Sequence, residues 1–287
     1  VNDSLTARSI SLPLWTSLVA PLPARARSGR VLGAFDRACD LWLEPDIITA
    51  LVTEQVGDGP FNVVVHGDRR ALAGIRTAGP VRLDAGRLAV GNVCVDLRPA
   101  AVWDPRPDWP FLHARLDTIR SSLDTVRPAL DARQSPLLAL ALGGQASGPL
   151  AARLREAGAE IRAGWQGDYD ALAGATHRLA GLGPGLTPAG DDFLLGLIVW
   201  AWLGHCEAPA FGRAVSSAAA PRTTTLAAAW LRAAAAGELA APWHRFLQSL
   251  AEPASPAIVW SALHTVLSRG ATSGADTVAG FLWLAAG

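Results

Sequence analysis

The stretch Gly181-Leu182-Gly183-Pro184-Gly185-Leu186-Thr187-Pro188-Ala189-Gly190-Asp191-Asp192 concentrates four glycines, two prolines and two adjacent carboxylates. Glycines at this density cost chain entropy and bring no side chains to pack, so the backbone itself is expected to have a task. A loop of this kind running into a helix start can aim several N–H groups at one anion. Gly183, Gly185, Leu186, Thr187 and Gly190 are therefore candidate ligand-binding positions. The spacing is not that of a dinucleotide fingerprint, and no lysine is present to complete a phosphate loop. A plain helix–helix connector is the competing reading.

Asp191 and Asp192 qualify the anion idea. They can serve as a cap and dipole complement in a first helical turn, or, beside an anion pocket, they need a cation or an arginine between them and the anion. Residues 189–196 and 273–280 share one pattern of small residue, Gly, any residue, Asp, three residues, Gly. Asp and Gly four apart lie on one helical face, one turn from a place where another backbone can approach. Asp192 and Asp276 are thus expected to converge on one site, with Ser273 and Gly274 beside it. They are the pair that could hold a divalent cation. Pro221-Arg222-Thr223-Thr224-Thr225 opens a further helix and puts an arginine just ahead of free N–H groups, a good setting for phosphate or carboxylate. Asp191, Asp192, Arg222 and Asp276 are the candidates for chemistry, and Thr223 and Thr224 for binding.

Composition narrows the classes. All 25 basic residues among 287 are arginine, which removes Schiff-base chemistry and a pyridoxal-phosphate anchor; with the fingerprint absent, no nicotinamide cofactor is expected either. The formal net charge is zero, against nucleic acid as the main partner. Arg25, Arg27 and Arg30 read as an exposed basic turn. The histidines show no ligand spacing, His177 reads as structural, and Cys39, Cys94 and Cys206 suggest neither a disulfide framework nor a metal knuckle. Phe193 to Gly204 is too short to cross a bilayer, which needs about 20 residues, and reads as a buried helix. Without a leader-like start the chain is expected to be cytoplasmic.

The elements that must position these residues fall into two halves. Up to about residue 110, short β-branched runs (10–12, 31–33, 47–52, 61–65, 81–83 and 88–95) alternate with Gly, Pro and Asp, including a hairpin turn at Asp84-Ala85-Gly86. A small sheet or barrel is expected. Three prolines within residues 104–110 then break the pattern. Beyond them the apolar spacing is helical at 111–126, 135–142, 148–157, 168–182, 191–203, 223–236, 242–250, 256–267 and 275–285. The expected class is α+β, a β-rich domain at 1–110 and an all-α domain at 111–287 that carries the glycine loop.

The loop with its acidic pair, the Arg222-Thr223-Thr224 segment and Thr272-Ser273-Gly274-Ala275-Asp276 together resemble a bacterial family linked to the AllH-type subunit of oxamate carbamoyltransferase. Residues 33–41 and Gly59-Pro60-Phe61 resemble its N-terminal part, although Asp40 stands where the family pattern has Asn. The resemblance implies a role in allantoin breakdown, where oxalurate and phosphate exchange with oxamate and carbamoyl phosphate. It implies a small anionic substrate and partner protein subunits. Two other readings stay open: a non-catalytic assembly or binding subunit, and an enzyme for another carboxylate or a nucleotide.

Overall fold

A computed structural model of the chain describes residues 3–20, 26–67 and 69–285. It divides into two compact units, residues 1–105 and 106–287.

The first unit is built from β1 (Asp3–Ser11), β2 (Arg27–Ala34), β3 (Ala38–Leu43), β4 (Ile47–Thr53), β5 (Asn62–Val65), β6 (Pro80–Asp84), β7 (Arg87–Val90), β8 (Val93–Asp96) and β9 (Ala101–Trp103), with one helix, α1 (Leu12–Leu18). The sheet runs β5-β4-β3-β2-β6-β7-β8-β1, and β1 pairs back onto β5, so eight strands close into a barrel. β9 continues the edge of β1 beyond β8. Closure leaves no open edge and lets alternate positions fill the interior. Along β3, Cys39, Leu41 and Leu43 are almost fully buried while Ala38 and Trp42 between and beside them are partly exposed.

The expected hairpin at residues 84–86 joins β6 and β7 in register Asp84↔Arg87, with Ala85 and Gly86 both at positive φ, as a tight two-residue turn requires. Other expectations need correction. The run at 88–95 is two strands, because Gly91 turns the chain with φ +59. β3 and β9 were not foreseen: β3 contains Asp40 and Cys39, residues with poor strand signals, and is fixed by pairing on both sides. Leu12 opens α1 instead of closing a strand. Arg27 and Arg30 do not form a basic turn. They lie on β2, Arg27 donating to the Glu44 carbonyl at 2.9 Å and Arg30 stacking over Trp42; Arg25 lies outside the described residues.

The second unit is helical: α2 (Trp109–His113), α3 (Leu116–Val126), α4 (Pro136–Ala141), α5 (Pro149–Trp165), α6 (Tyr169–Leu179), α7 (Ala189–Gly204), α8 (Ala208–Ala219), α9 (Thr225–Ala235), α10 (Ala241–Ala251), α11 (Pro256–Leu267) and α12 (Ser273–Ala285). The 111–126 segment is two helices, α5 runs eight residues beyond the expected end at 157, and α8 was missed. α7 lies at the centre, as the 193–204 run suggests: Phe193, Leu194, Leu197, Ile198, Val199 and Ala201 are fully buried. Such an all-round apolar helix is a core helix. α12 is its closest neighbour. Among the described residues no helix is long and apolar enough to cross a membrane.

Candidate functional site

The repeated pattern marks two equivalent junctions. In the first, α6 passes through residues 180–188 into α7; in the second, α11 passes through 268–272 into α12. A Cβ on Gly190 would overlap the Leu179 carbonyl at the end of α6, and one on Gly274 would overlap the Val266 carbonyl at the end of α11. Nearly two turns on, the helices cross through their second glycines. A Cβ on Gly196 would collide with the Thr277 carbonyl and sit 2.6 Å from the Phe281 nitrogen. A Cβ on Gly280 would collide with the Phe193 carbonyl and sit 3.1 Å from the Leu197 nitrogen. These contacts exchange under one shift of numbering, so the two junctions are related by an approximate two-fold axis at the α7–α12 crossing.

On this frame the glycine loop is stitched to the segment before α9. Asp191 Oδ2 accepts from the Gly181 N–H at 3.0 Å and the Thr223 hydroxyl at 2.7 Å. The Thr224 hydroxyl donates to the Leu186 carbonyl and accepts from the Ala227 N–H as the N-cap of α9. Gly181 has φ +74 and no room for a Cβ beside the Arg222 carbonyl. The Arg222 carbonyl and the Thr223 and Thr224 hydroxyls thus lie against the loop and its acidic helix start. The capping role considered for the acidic pair is overturned: α7 starts at Ala189, Pro188 occupies the cap position, and both aspartates sit inside the first turn. At the position of Asp191, the second junction has Ala275. The carboxylate is therefore a feature of the long loop and not of the shared fold.

Among the described residues, the N–H groups of Gly183, Gly185, Leu186 and Thr187 have no hydrogen-bond acceptor. Gly183 and Gly185 are exposed, and Leu186 and Thr187 partly so. Arg222 is also exposed, and its guanidinium makes no ion pair among the described residues.

The carboxyls have the opposite surroundings. Asp191, Asp192 and Asp276 are only 2%, 6% and 1% exposed, and Oδ1 of Asp191 and Oδ2 of the other two have no hydrogen-bond partner. Burial pushes Asp192 up to about 8, the neighbouring charges of Asp276 and Asp191 add to this, and the Ser273 hydroxyl opposes it. Burial also raises Asp276, against the hydroxyls of Ser135 and Thr272, and raises Asp191, against its bonds to Thr223 and Gly181. Asp192 and Asp276 are thus near enough for the charge of one to act on the other. No arginine is among the groups acting on any of the three.

Ser135 was not foreseen. It is buried, its hydroxyl donates to Asp276 Oδ1, and it accepts from the Leu137 and Leu138 N–H groups as the cap of α4. Ser135-Pro136 before an apolar run signals a helix start, but nothing local links it to a residue so far along the chain.

Gly274 is buried against the end of α11, so its role is packing. His177 is exposed on α6. Among the described residues no three or more His, Cys, Asp or Glu side chains gather as a metal site would need. A surface cleft of about 310 Å³ lies elsewhere in the helical unit, lined by Pro107, Asp108, Phe111, Leu112, His244, Gln248 and Glu252. Its polar groups include the Asp108 cap and the Gln248–Glu252 pair, which already bond within the protein, whereas the loop N–H groups do not. We therefore place the candidate site at the loop.

Fold and site define a two-unit α+β protein, an eight-stranded barrel followed by a helical unit organised around a paired helix crossing. Residues 179–285 match the family described as oxamate carbamoyltransferase subunit AllH, and residues 6–102 match the AllH family N-terminal domain. The chain belongs to the AllH family. No solved structure matches it.

Proposed function

We propose that the chain is a component of an oxamate carbamoyltransferase and binds a small anionic substrate at the glycine loop, in carbamoyl exchange between oxalurate or oxamate and phosphate. The observation that carries this reading is the run of unbonded N–H groups at Gly183, Gly185, Leu186 and Thr187, with the guanidinium-bearing Arg222 on the segment stitched to that loop. Fixed donors aimed at one place hold phosphate or carboxylate oxygens and stabilise charge that develops on them. Here the loop N–H groups take phosphate oxygens, and Arg222 pairs with phosphate or the substrate carboxylate. Thr223 and Thr224 spend their hydroxyls on holding the loop, which makes them positioning residues. Asp191 holds the loop through Oδ2 and its Oδ1 is buried, so Asp191 too is a positioning residue.

Positioning and charge stabilisation would do the work, since no activated nucleophile is part of the arrangement described. The family description is of a subunit, so the reading includes partner subunits. The test is carbamoyl phosphate formation from oxalurate and phosphate by the purified chain, alone and with candidate partner subunits. Arg222→Ala is expected to lower turnover by about 10²-fold, the loss typical of one charge-stabilising group. Unchanged turnover removes that role. An assembly-only subunit would instead bind its partner and show no thermal stabilisation by phosphate or oxalurate.

A further inference from the structure

α10 and α11 pack on each other and are joined by residues 252–255 alone, so they form an antiparallel helical hairpin. The inner side of α11 is Val259, Leu263, Val266 and Leu267, all buried. Its outer side is unusual for a face in water. Ala257, Ile258, Ser261, His264 and Thr265 are exposed, Ile258 to 58%, and the helix contains no Asp, Glu or Arg. The hydroxyls there turn back on the chain itself: Thr265 donates to the Ser261 carbonyl at 3.0 Å, and Ser268 to the Thr265 carbonyl at 3.2 Å. α3 packs against the same two helices and shows the ordinary pattern, with Asp117, Arg120 and Asp124 exposed on its outer side. The lack of charge is thus particular to α11. Depletion of charge around an exposed apolar anchor is the composition of an interface centre.

Charge returns at the two ends of α11 with opposite sign. Beyond residue 250 the only Asp, Glu or Arg residues are Glu252, Arg269 and the buried Asp276. Glu252 is exposed in the turn before α11, and Arg269, partly exposed, follows its last turn. Among the described residues neither has an ion-pair partner; Glu252 accepts only from Gln248, at 2.9 Å. Burial and the nearby charge of Arg245 both press Arg269 below the usual guanidinium range, a state that a carboxylate brought beside it relieves. From Ser261, in the middle of the exposed stripe, Glu252 is nine residues back and Arg269 eight residues on. A face with an acidic end and a basic end at equal reach is complementary to itself turned end for end.

We propose that α11 is the contact between two copies of this chain, paired antiparallel about a two-fold axis at Ser261, with Ile258 of each packed on the His264 and Thr265 turn of the other and Glu252 of each paired with Arg269 of the other. Small side chains at Ala257, Ser261 and Ala262 let the two helices approach closely. One helix per copy makes a contact at the small end of the interface range, so the dimer has a dissociation constant on the order of micromolar. Pairing of this kind requires no ligand at the glycine loop and is independent of the function proposed above.

Sedimentation velocity of the full-length chain across the micromolar range reads the pairing. The wild type is expected to pass from monomer to dimer. Ile258→Asp is expected to stay monomeric where the wild type is dimeric, with little change in melting temperature, since the side chain is exposed. Glu252→Arg and Arg269→Glu are each expected to weaken pairing by about tenfold or more, because the axis repeats every like-charge contact. Mixing these two variants in equal amounts is expected to restore the dimer, because in the mixed pair an arginine again faces a glutamate at both ends. A folding fault in either variant is not repaired by mixing. A wild type that stays monomeric overturns the proposal, as does an Ile258→Asp chain that dimerises like the wild type, or a mixture no more dimeric than its two components. If the wild type is monomeric alone and Ile258→Asp abolishes its binding to a partner subunit, the face serves a different protein and pairing of two copies is likewise overturned.

Discussion

The two helix junctions of the second unit solve one packing problem with different amounts of chain. Both bring a helix end, a turn and a glycine-bearing helix start to the same crossing, with glycines serving the same close approaches. The second junction does so through residues 268–272, whereas the first spends residues 180–188 on it. The extra length of the glycine loop is therefore not demanded by the connection. Its stitches are also peculiar to it: Asp191 faces Gly181 and Thr223, where the second junction has Ala275. What the junctions share is structural, and what distinguishes them marks the candidate site.

The largest effects belong to the shared part. Gly196→Ala and Gly280→Ala each force a Cβ onto an opposing carbonyl, and each is expected to cost about 3 kcal/mol or more in chemical denaturation, since backbone cannot yield as a side chain would. Near-equal losses support the two-fold relation, and one strongly unequal pair breaks it.

Asp192 comes next. Its carboxyl titrates higher in the folded chain than in the unfolded one, so the folded state keeps a proton that the unfolded state has lost. Its contribution is full below about pH 4 and falls as the pH rises toward about 8. Asp192→Asn removes that slope, so relative to wild type it gains stability across the interval, by an amount on the order of 5 kcal/mol at most. Melting curves from pH 4 to 9 check this.

Asp40 in the barrel behaves the same way on a smaller scale. It is mostly buried, and burial pushes it up to about 6. Asp40→Asn is predicted to stabilise by about 3 kcal/mol at most above pH 6 and to have no effect below pH 4.

Asp191→Ala strips the acceptor from two donors and is expected to cost about 2 kcal/mol, with loss of exchange protection at the Gly181 amide. Gly185→Ala has the smallest effect. Its φ of +93 strains an alanine by about 1 kcal/mol, and the added Cβ meets nothing.

Much of this comparison was legible in the sequence, because the repeated Gly–Asp–Gly spacing is a local record of helix faces that must meet. The hairpin at 84–86 and the boundaries of α11 could be read for the same reason: turn chemistry and apolar period are written in neighbouring residues. Ser135 could not be read, since its partner Asp276 is distant in the chain and a serine before a proline already has a sufficient local meaning. β3 was hidden because its pairing partners, and not its own residues, make it a strand. The aspartates were placed correctly on α7 but misread as possible caps, since the start of α7 at Ala189 is set by Pro188 and by the fit of Gly190 against α6.

Anion binding is the task proposed for the long loop. Replacing residues 180–188 by the sequence of residues 268–272 gives the first junction the connection that the second already uses, and calorimetry with phosphate reads the consequence. The expected result is a chain that keeps its helical content and melts cooperatively but no longer binds phosphate, while the wild type does. Phosphate bound equally by both chains would contradict it.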